Sequence, residues 1–332
     1  MATINVGDYT DLQDALDSNY QDTNGDIFTF PDGYSETLAG TIDCTTYAGA
    51  GSLTDPTKFV QFKALGSCEI TCPTTGSIAD ETNTGRYLYF EGIDFKGPSS
   101  GSYSGSGISG GYYSYWYLYD CSFTDLQTGV TSNQRTFLDS VKFDHCARCI
   151  RGKYITWVNG LATNESEIYA NATYLWMHKC VVDDPRYDRW DASYLVADQC
   201  TFYRPGTASG TLFYQTSDFR QISDCIFSGF STIAANNNQS DMFLRCSRYG
   251  GTGTYTGGTP IAWDVETLSS DPLPNAPTDF TPDDVGSVLN NDQPTFGGVM
   301  PSFSFRGAVP GSASGGGGGI QIARGMHGGM RG

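Results

Sequence analysis

The chain has 332 residues, of which 39% are hydrophobic and 17% charged, with 41 glycines and 14 prolines. That apolar content excludes wholesale disorder, and so many turn formers exclude long helical bundles and coiled coils. A formal net charge of −17 opposes phosphate backbones and anionic bilayers, so neither nucleic-acid binding nor membrane insertion is expected.

In chain order, Thr3 to Val6 reads as a strand. Thr10-Asp11-Leu12-Gln13 follows as a capping box in which Thr10 and Gln13 satisfy exposed N–H groups. Leu12, Ala15 and Leu16 then give a short helix one apolar stripe. These opening residues carry acids where an export signal would carry basic and apolar stretches, so no signal peptide is readable and cytosolic synthesis is expected. Reduced cysteines follow from that compartment.

From about residue 25 to 250 helical periodicity is lost, and short β-rich runs alternate with clusters of Gly, Ser, Thr, Asn and Asp. Seven of these runs align: YLYFEGIDF (87–95), WYLYDCSF (116–123), TFLDSVKF (136–143), YLWMHKCVV (174–182), YLVADQCTF (194–202), FRQISDCIF (219–227) and MFLRCSR (242–248). Each has apolar or aromatic residues, one polar position and an apolar-x-apolar end. With Ile93, Cys121, Val141, Cys180, Cys200, Cys225 and Cys246 taken as equivalent, the steps are 28, 20, 39, 20, 25 and 21 residues. The 39 is close to twice 20, which places one unrecognised coil between Val141 and Cys180. A β-rich repeat of this period points to a parallel β-solenoid. Stacked coils lie about 4.8 Å apart, so Cys121, Cys180, Cys200, Cys225 and Cys246 are expected as an inward column of small apolar side chains. That spacing also exceeds the Cβ separation a disulfide needs, about 3.5–4.5 Å.

A strand, a short helix of the form YTDLQDAL and then Gly/Asn-punctuated β-coils together resemble the pectate-lyase-like right-handed parallel β-helix superfamily, which includes phage tailspikes. The resemblance implies an all-β fold: a right-handed parallel β-helix over about 25–250, closed by an N-terminal cap at 1–24 that shields the first strand edges. It also implies one of two roles, since members are polysaccharide lyases or hydrolases, or structural parts of virions.

Residues 251–314 gather prolines, among them Pro260, Pro272, Pro274, Pro277, Pro282, Pro294, Pro301 and Pro310, and read as extended chain on a surface or as linker. Gly315 to Gly319 then tether a C-terminal arm, 315–332, in which Ile320, Ile322, Met326 and Met330 could dock while Arg324 and Arg331 pair with acids on a partner. A disordered tail is the alternative.

Several groups of residues invite chemistry. Asp183-Asp184-Pro185-Arg186-Tyr187-Asp188-Arg189-Trp190-Asp191 offers Asp183, Asp184, Asp188 and Asp191 as carboxylates for glycosidic or lyase chemistry, with Tyr187 and Trp190 as sugar platforms. A self-compensating salt-bridged loop accounts for the same composition. In Gly111-Tyr112-Tyr113-Ser114-Tyr115-Trp116-Tyr117-Leu118-Tyr119, alternation sets Tyr113, Tyr115, Tyr117 and Tyr119 on one face, Trp116 and Leu118 on the other. The tyrosines suit a glycan, a neighbouring subunit, or stacking between coils. His145-Cys146-Ala147-Arg148-Cys149 lacks a second pair at zinc spacing, and Asp22-Asn24-Asp26 lacks the glycine and glutamate of a calcium loop, so neither metal nor other cofactor is expected.

These readings converge on a structural component of a phage-like virion, a decoration, fibre or spike protein, found in the virion or outside the cell after cytosolic synthesis. Its expected partners are other virion or capsid subunits, further copies of itself and a host-surface polysaccharide. The alternative is a polysaccharide lyase or glycoside hydrolase.

Overall fold

Every strand pairing in the described residues is parallel, and each joins a strand to one some twenty to thirty-five residues away, the signature of a chain wound into stacked coils. The structure is a computed structural model that describes residues 2–19, 25–44, 59–73, 77–80, 87–101, 103–110, 115–163, 172–183, 192–205, 211–214, 219–235, 241–280 and 282. It is an all-β parallel β-solenoid of about nine turns with one short helix near its N-terminus.

Two sheets run the length of the solenoid. The first contains Tyr87–Glu91, Tyr115–Tyr119, 135–139, 154–158, Ala172–His178, Ala192–Asp198 and Phe219–Ser223 in order. The second contains Asp94–Lys96, Ser122–Thr124, Lys142–Asp144, Leu161–Thr163, Val181–Asp183, Thr201–Tyr203 and Ile226–Ser228. A third, more interrupted wall carries an inward column of Ile42, Ile78, Ile108, Val130 and Ile150.

The cysteine column forms the inner corner between the first two sheets. The residue after each member donates its N–H to the member one coil earlier: Lys142 to Cys121, Leu161 to Val141, Val181 to Gly160, Thr201 to Cys180, Ile226 to Cys200 and Ser247 to Cys225. Gly160 therefore marks the coil inferred between Val141 and Cys180. A Cβ on Gly160 would run into the indole of Trp157, which fills that space and donates Nε1–H to the Val141 carbonyl at 3.2 Å. The neighbouring column follows the same logic. Phe95, Phe123 and Phe143 stack at 4.9 and 5.2 Å, Ala162 replaces the ring in the next coil, and Trp157 meets Phe143 edge-on instead. All ten cysteines are buried and none forms a disulfide, and burial pushes the Cys121 and Cys146 thiols up to about 12.

The polar position of the aligned segments has a backbone explanation. Gly92, Asp120, Ser140, Asn159, Lys179, Gln199, Asp224 and Arg245 all have φ between +50° and +71°. One left-handed residue per coil turns the chain from the first sheet into the second. The amide of each, up to Asp224, donates to the carbonyl one coil later, as Asp120 does to Asp139 and Lys179 to Asp198.

The helix spans Leu12–Asn19 and buries Leu12, Ala15 and Leu16 completely. The expected capping box is displaced by one residue. Asp11, not Thr10, accepts the Asp14 N–H at 2.8 Å, and Asp14 rather than Gln13 reaches back, to the Thr10 N–H at 3.1 Å. Glu36 takes the Leu12 N–H from the neighbouring coil, so tertiary contact selects the later start. At the other end, Thr254–Thr256 and Ala262–Thr267 carry strand pairing past residue 250. Leu268 and Leu273 then pack on Ile226, with Phe280 edge-on to Tyr203, so the first part of the proline-rich stretch lies along the outside of the last coils.

Candidate functional site

Alternation in the first sheet sends Trp116, Leu118 and their equivalents inward and leaves three columns facing out: a polar one beside the corner, Glu91, Tyr119, Asp139, Val158 and His178, and two largely aromatic ones. One runs Tyr87, Tyr115, Arg135, Tyr154, Tyr174, Tyr194, Phe219. The other runs Tyr89, Tyr117, Phe137, Thr156, Trp176, Val196, Gln221, Met242. Because the register is exact in number from coil to coil, the rings stack on one another. Tyr87–Tyr115, Tyr174–Tyr194 and Tyr117–Phe137 have centroids 4.7, 4.6 and 4.7 Å apart, and Tyr154–Tyr174 is stacked at 5.2 Å with planes only 8° apart. Arg135 occupies the position where a ring is missing, its guanidinium 5.8 Å from the Tyr154 centroid; this is a cation–π contact that continues the stack.

Such stacking decides what the face offers. Ring faces are spent on neighbouring rings, so solvent meets ring edges and phenolic oxygens. Tyr89 directs its hydroxyl to Glu91 at 2.9 Å, and burial together with that carboxylate raises the phenol's pKa. Burial also raises that of Tyr117, with Asp139 adding to it. These phenols stay neutral, and among the described members of both columns Arg135 is the one charged side chain.

A polar corner flanks this face. Asp139 accepts from Ser140 Oγ and from Asn159 Nδ2 at 3.1 and 3.0 Å. Asp198, nearly buried, accepts Ser223 Oγ at 2.6 Å and stands 3.1 Å from His178 Nδ1. Arg245 grips Asp224 through Nε and Nη2 at 2.9 and 2.5 Å, which raises the guanidinium pKa. Burial lowers the Lys179 amine, against the pull of Asp198. His178 and Ser223 converge on one carboxylate, whereas a nucleophile relay needs the histidine between serine and aspartate. The corner is thus built to hold coils together.

The sequence-derived candidates separate. Tyr115 and Tyr117 lie on the aromatic face, while Asp183 ends the strand Val181–Asp183 on the second sheet, partly buried. Tyr113, Asp184, Tyr187, Asp188, Trp190 and Asp191 fall outside the described residues, as do Ile320, Ile322, Arg324, Met326, Met330 and Arg331. The second half of the aromatic column, Tyr154, Tyr174 and Tyr194, lies outside the conspicuous 111–119 run; the shared leading tyrosine of YLWMHKCVV and YLVADQCTF is the sequence signal for the last two. His145 faces Asp125, with Nδ1 to Oδ1 at 2.7 Å, and stacks on Tyr103, while Cys146 Sγ points at the Phe123 carbonyl. Among the described residues no group of three or more His, Cys, Asp or Glu is placed to hold a metal ion, and no helix is long and apolar enough to cross a membrane.

Fold and surface together define the chain as a β-solenoid with an aromatic flank in which Arg135 is the one charged column member. No family model matches it, and no curated protein matches it.

Proposed function

We infer that the chain is a structural subunit of a phage-like particle, a fibre, spike or decoration protein that assembles with further copies of itself through the outer face of the first sheet. The observation that carries this reading is the pair of outward columns in which rings stack edge-out with a single charge among them. A molecule carrying −17 repels its own copies over most of its surface. The two columns hold no acid of their own, and tyrosine, common at protein interfaces, is dense in them. Sugars stack on exposed ring faces, and here those faces are occupied, which favours a protein partner over a glycan.

The test is sedimentation of the full chain against a Tyr154→Ser/Tyr174→Ser variant. The parent is expected to self-associate at micromolar concentration, and the variant to sediment as a monomer with an unchanged β-sheet spectrum. A parent that stays monomeric at the highest attainable concentration overturns the reading. Retention of a polysaccharide by that monomer, lost in the variant, would put a glycan in the partner's place.

A further inference from the structure

Arg135 and Asp139 lie on the outer face of one strand, and neither completes its bonding within a single copy. The guanidinium rests against the Tyr154 ring, and among the described residues no carboxylate pairs with it. Asp139 accepts its two hydrogen bonds, from Ser140 Oγ and Asn159 Nδ2, on Oδ1, and among the described residues nothing donates to Oδ2. With Asp139 only 7% exposed, a nearly buried carboxylate is left without a cation, which favours one brought from outside. Four residues of strand hold the two groups about 13 Å apart and facing the same way. They cannot meet within one molecule.

A second copy satisfies both at once. A two-fold axis parallel to the solenoid and passing over Phe137 reverses the strands while keeping coil against coil. Arg135 then faces Asp139 of the second copy and Asp139 faces its Arg135, the reciprocity an isologous contact requires. The same operation sets Tyr87 opposite Glu91 and Tyr194 opposite Asp198, since each of these pairs also shares a strand at the same separation. Every acid of the polar column thereby receives a guanidinium or a phenol.

Residues on the axis meet their own twins, where a charge would repel its like. That position belongs to the middle column, from Tyr89 and Tyr117 through Thr156 and Val196 to Gln221, and it holds no charge. Seven coils by five residues of strand present roughly 30 Å by 17 Å. Over both copies that is about 1,000 Å², the lower bound for a specific interface. A two-fold running across the coils through Thr156 is the competing arrangement. It gives Asp139 a histidine, His178, but sets Arg135 over Tyr174, away from any carboxylate.

Resting on the self-association inferred above, we propose that two copies pair face to face about a two-fold axis parallel to the solenoid, with reciprocal Arg135–Asp139 ion pairs on either side of the middle column.

Single cysteines in the middle column test this in the full chain, because the native thiols are all buried. Thr156→Cys and Val196→Cys should each be joined to its own twin by a short bis-maleimide, giving covalent dimers at concentrations where the parent sediments as a dimer. Arg135→Glu should weaken dimerisation at least tenfold with an unchanged β-sheet spectrum. Lys142→Glu, a charge reversal at an exposed position on the second sheet, should leave dimerisation unchanged. Cross-linking of Thr156→Cys alone, with Val196→Cys joining only Tyr117→Cys in a mixture, assigns the axis across the coils and overturns the proposal. A dimer that neither cysteine links, or that Arg135→Glu leaves intact, also overturns it, while the aromatic-face reading stands on its tyrosine variant. A parent that is monomeric at every attainable concentration removes both.

Discussion

The first coils and the last coils of this solenoid solve the same problem with different materials. At the N-terminal end a helix seals the stack: Leu12, Ala15 and Leu16 are wholly buried, and the coils beneath them stack Phe28, Phe62 and Phe90. At the C-terminal end the described stack ends on the strand Ala262–Thr267, and one buried ion pair enters an interior otherwise filled by Phe213, Phe227 and Phe243. Arg220 and Asp241, both fully buried, pair at 3.1 Å in a column held by Leu88, Trp116 and Leu195 at earlier coils. Tyr255 donates to the same carboxylate at 3.0 Å. An apolar interior tolerates any coil of the right size above it, whereas a buried ion pair fixes which coil follows which. The N-terminal half is thus finished by burial, and the C-terminal half by specificity.

The ion pair gives the largest expected effect. Asp241→Ala leaves a guanidinium buried without its carboxylate and should destabilise the protein by about 3–5 kcal/mol. Arg220→Leu/Asp241→Leu should recover most of that loss in denaturant titrations. Failure of the double variant to recover would show that Tyr255 and the coil above depend on the carboxylate itself, and that both halves are equally intolerant.

The caps come next. Leu16→Ala should cost about 2–5 kcal/mol as a buried large-to-small change. Val265→Ala, at a partly covered position, should cost below about 1 kcal/mol in a chain truncated after Pro282. Equal losses at the two ends would erase the contrast.

Alkaline pH separates the halves along the cysteine column, which is interrupted by Val141 and Gly160 but continuous from Cys180 through Cys246. Burial raises Cys180 and Cys225 in the same direction as Cys121, whose thiol moves from an ordinary value near 9 to about 12. Below about pH 9 the Cys121, Cys180 and Cys225 thiols are protonated whether folded or not, whereas hydrogen bonds from its neighbours Cys180 and Cys225 act on Cys200 in the opposite direction. Between about 9 and 12 the first three ionise only in the unfolded chain, so it binds fewer protons and stability falls as pH rises. Cys121→Val should retain about 1–2 kcal/mol that the parent loses at pH 10. Unfolding midpoints of the two proteins that fall in parallel from pH 8 to pH 10 would remove the thiol from the account.

Much of this architecture is written in the residues. Coil equivalence was legible because Cys121, Cys180, Cys200, Cys225 and Cys246 repeat one small apolar type in one place, and the doubled step disclosed the coil between Val141 and Cys180. That coil's own strand was unreadable, because Gly160 and Ala162 carry no pattern until Trp157 is seen to occupy their space. The helix start slipped by one residue since Glu36, far away in sequence, supplies an acceptor that local capping rules do not know. The aromatic flank was half legible. The 111–119 run is conspicuous in composition, while Tyr154, Tyr174 and Tyr194 become one surface only when coils are set in register. The Arg220–Asp241 pair could not have been read, because charged residues in a strand are ordinarily assigned to its outer face.

The corner offers the smallest and most delicate test. Gly92 turns the chain with a residue suited to positive φ, while Lys179 does the same at +53° with a long side chain. Left-handed backbone costs a non-glycine residue roughly 1–2 kcal/mol, and glycine gives back about 0.5–1 kcal/mol through the freedom of the unfolded chain. Lys179→Gly should therefore raise stability by about 0.5 kcal/mol, seen as a higher urea midpoint at unchanged slope. The converse, Gly92→Ala, should lower it, because the added Cβ meets Ala64 Cβ at 3.3 Å in addition to the backbone strain. Should Lys179→Gly destabilise instead, the amine's attraction to Asp198 outweighs the strain, and the polar corner holds the later coils by charge as well as by backbone pairing.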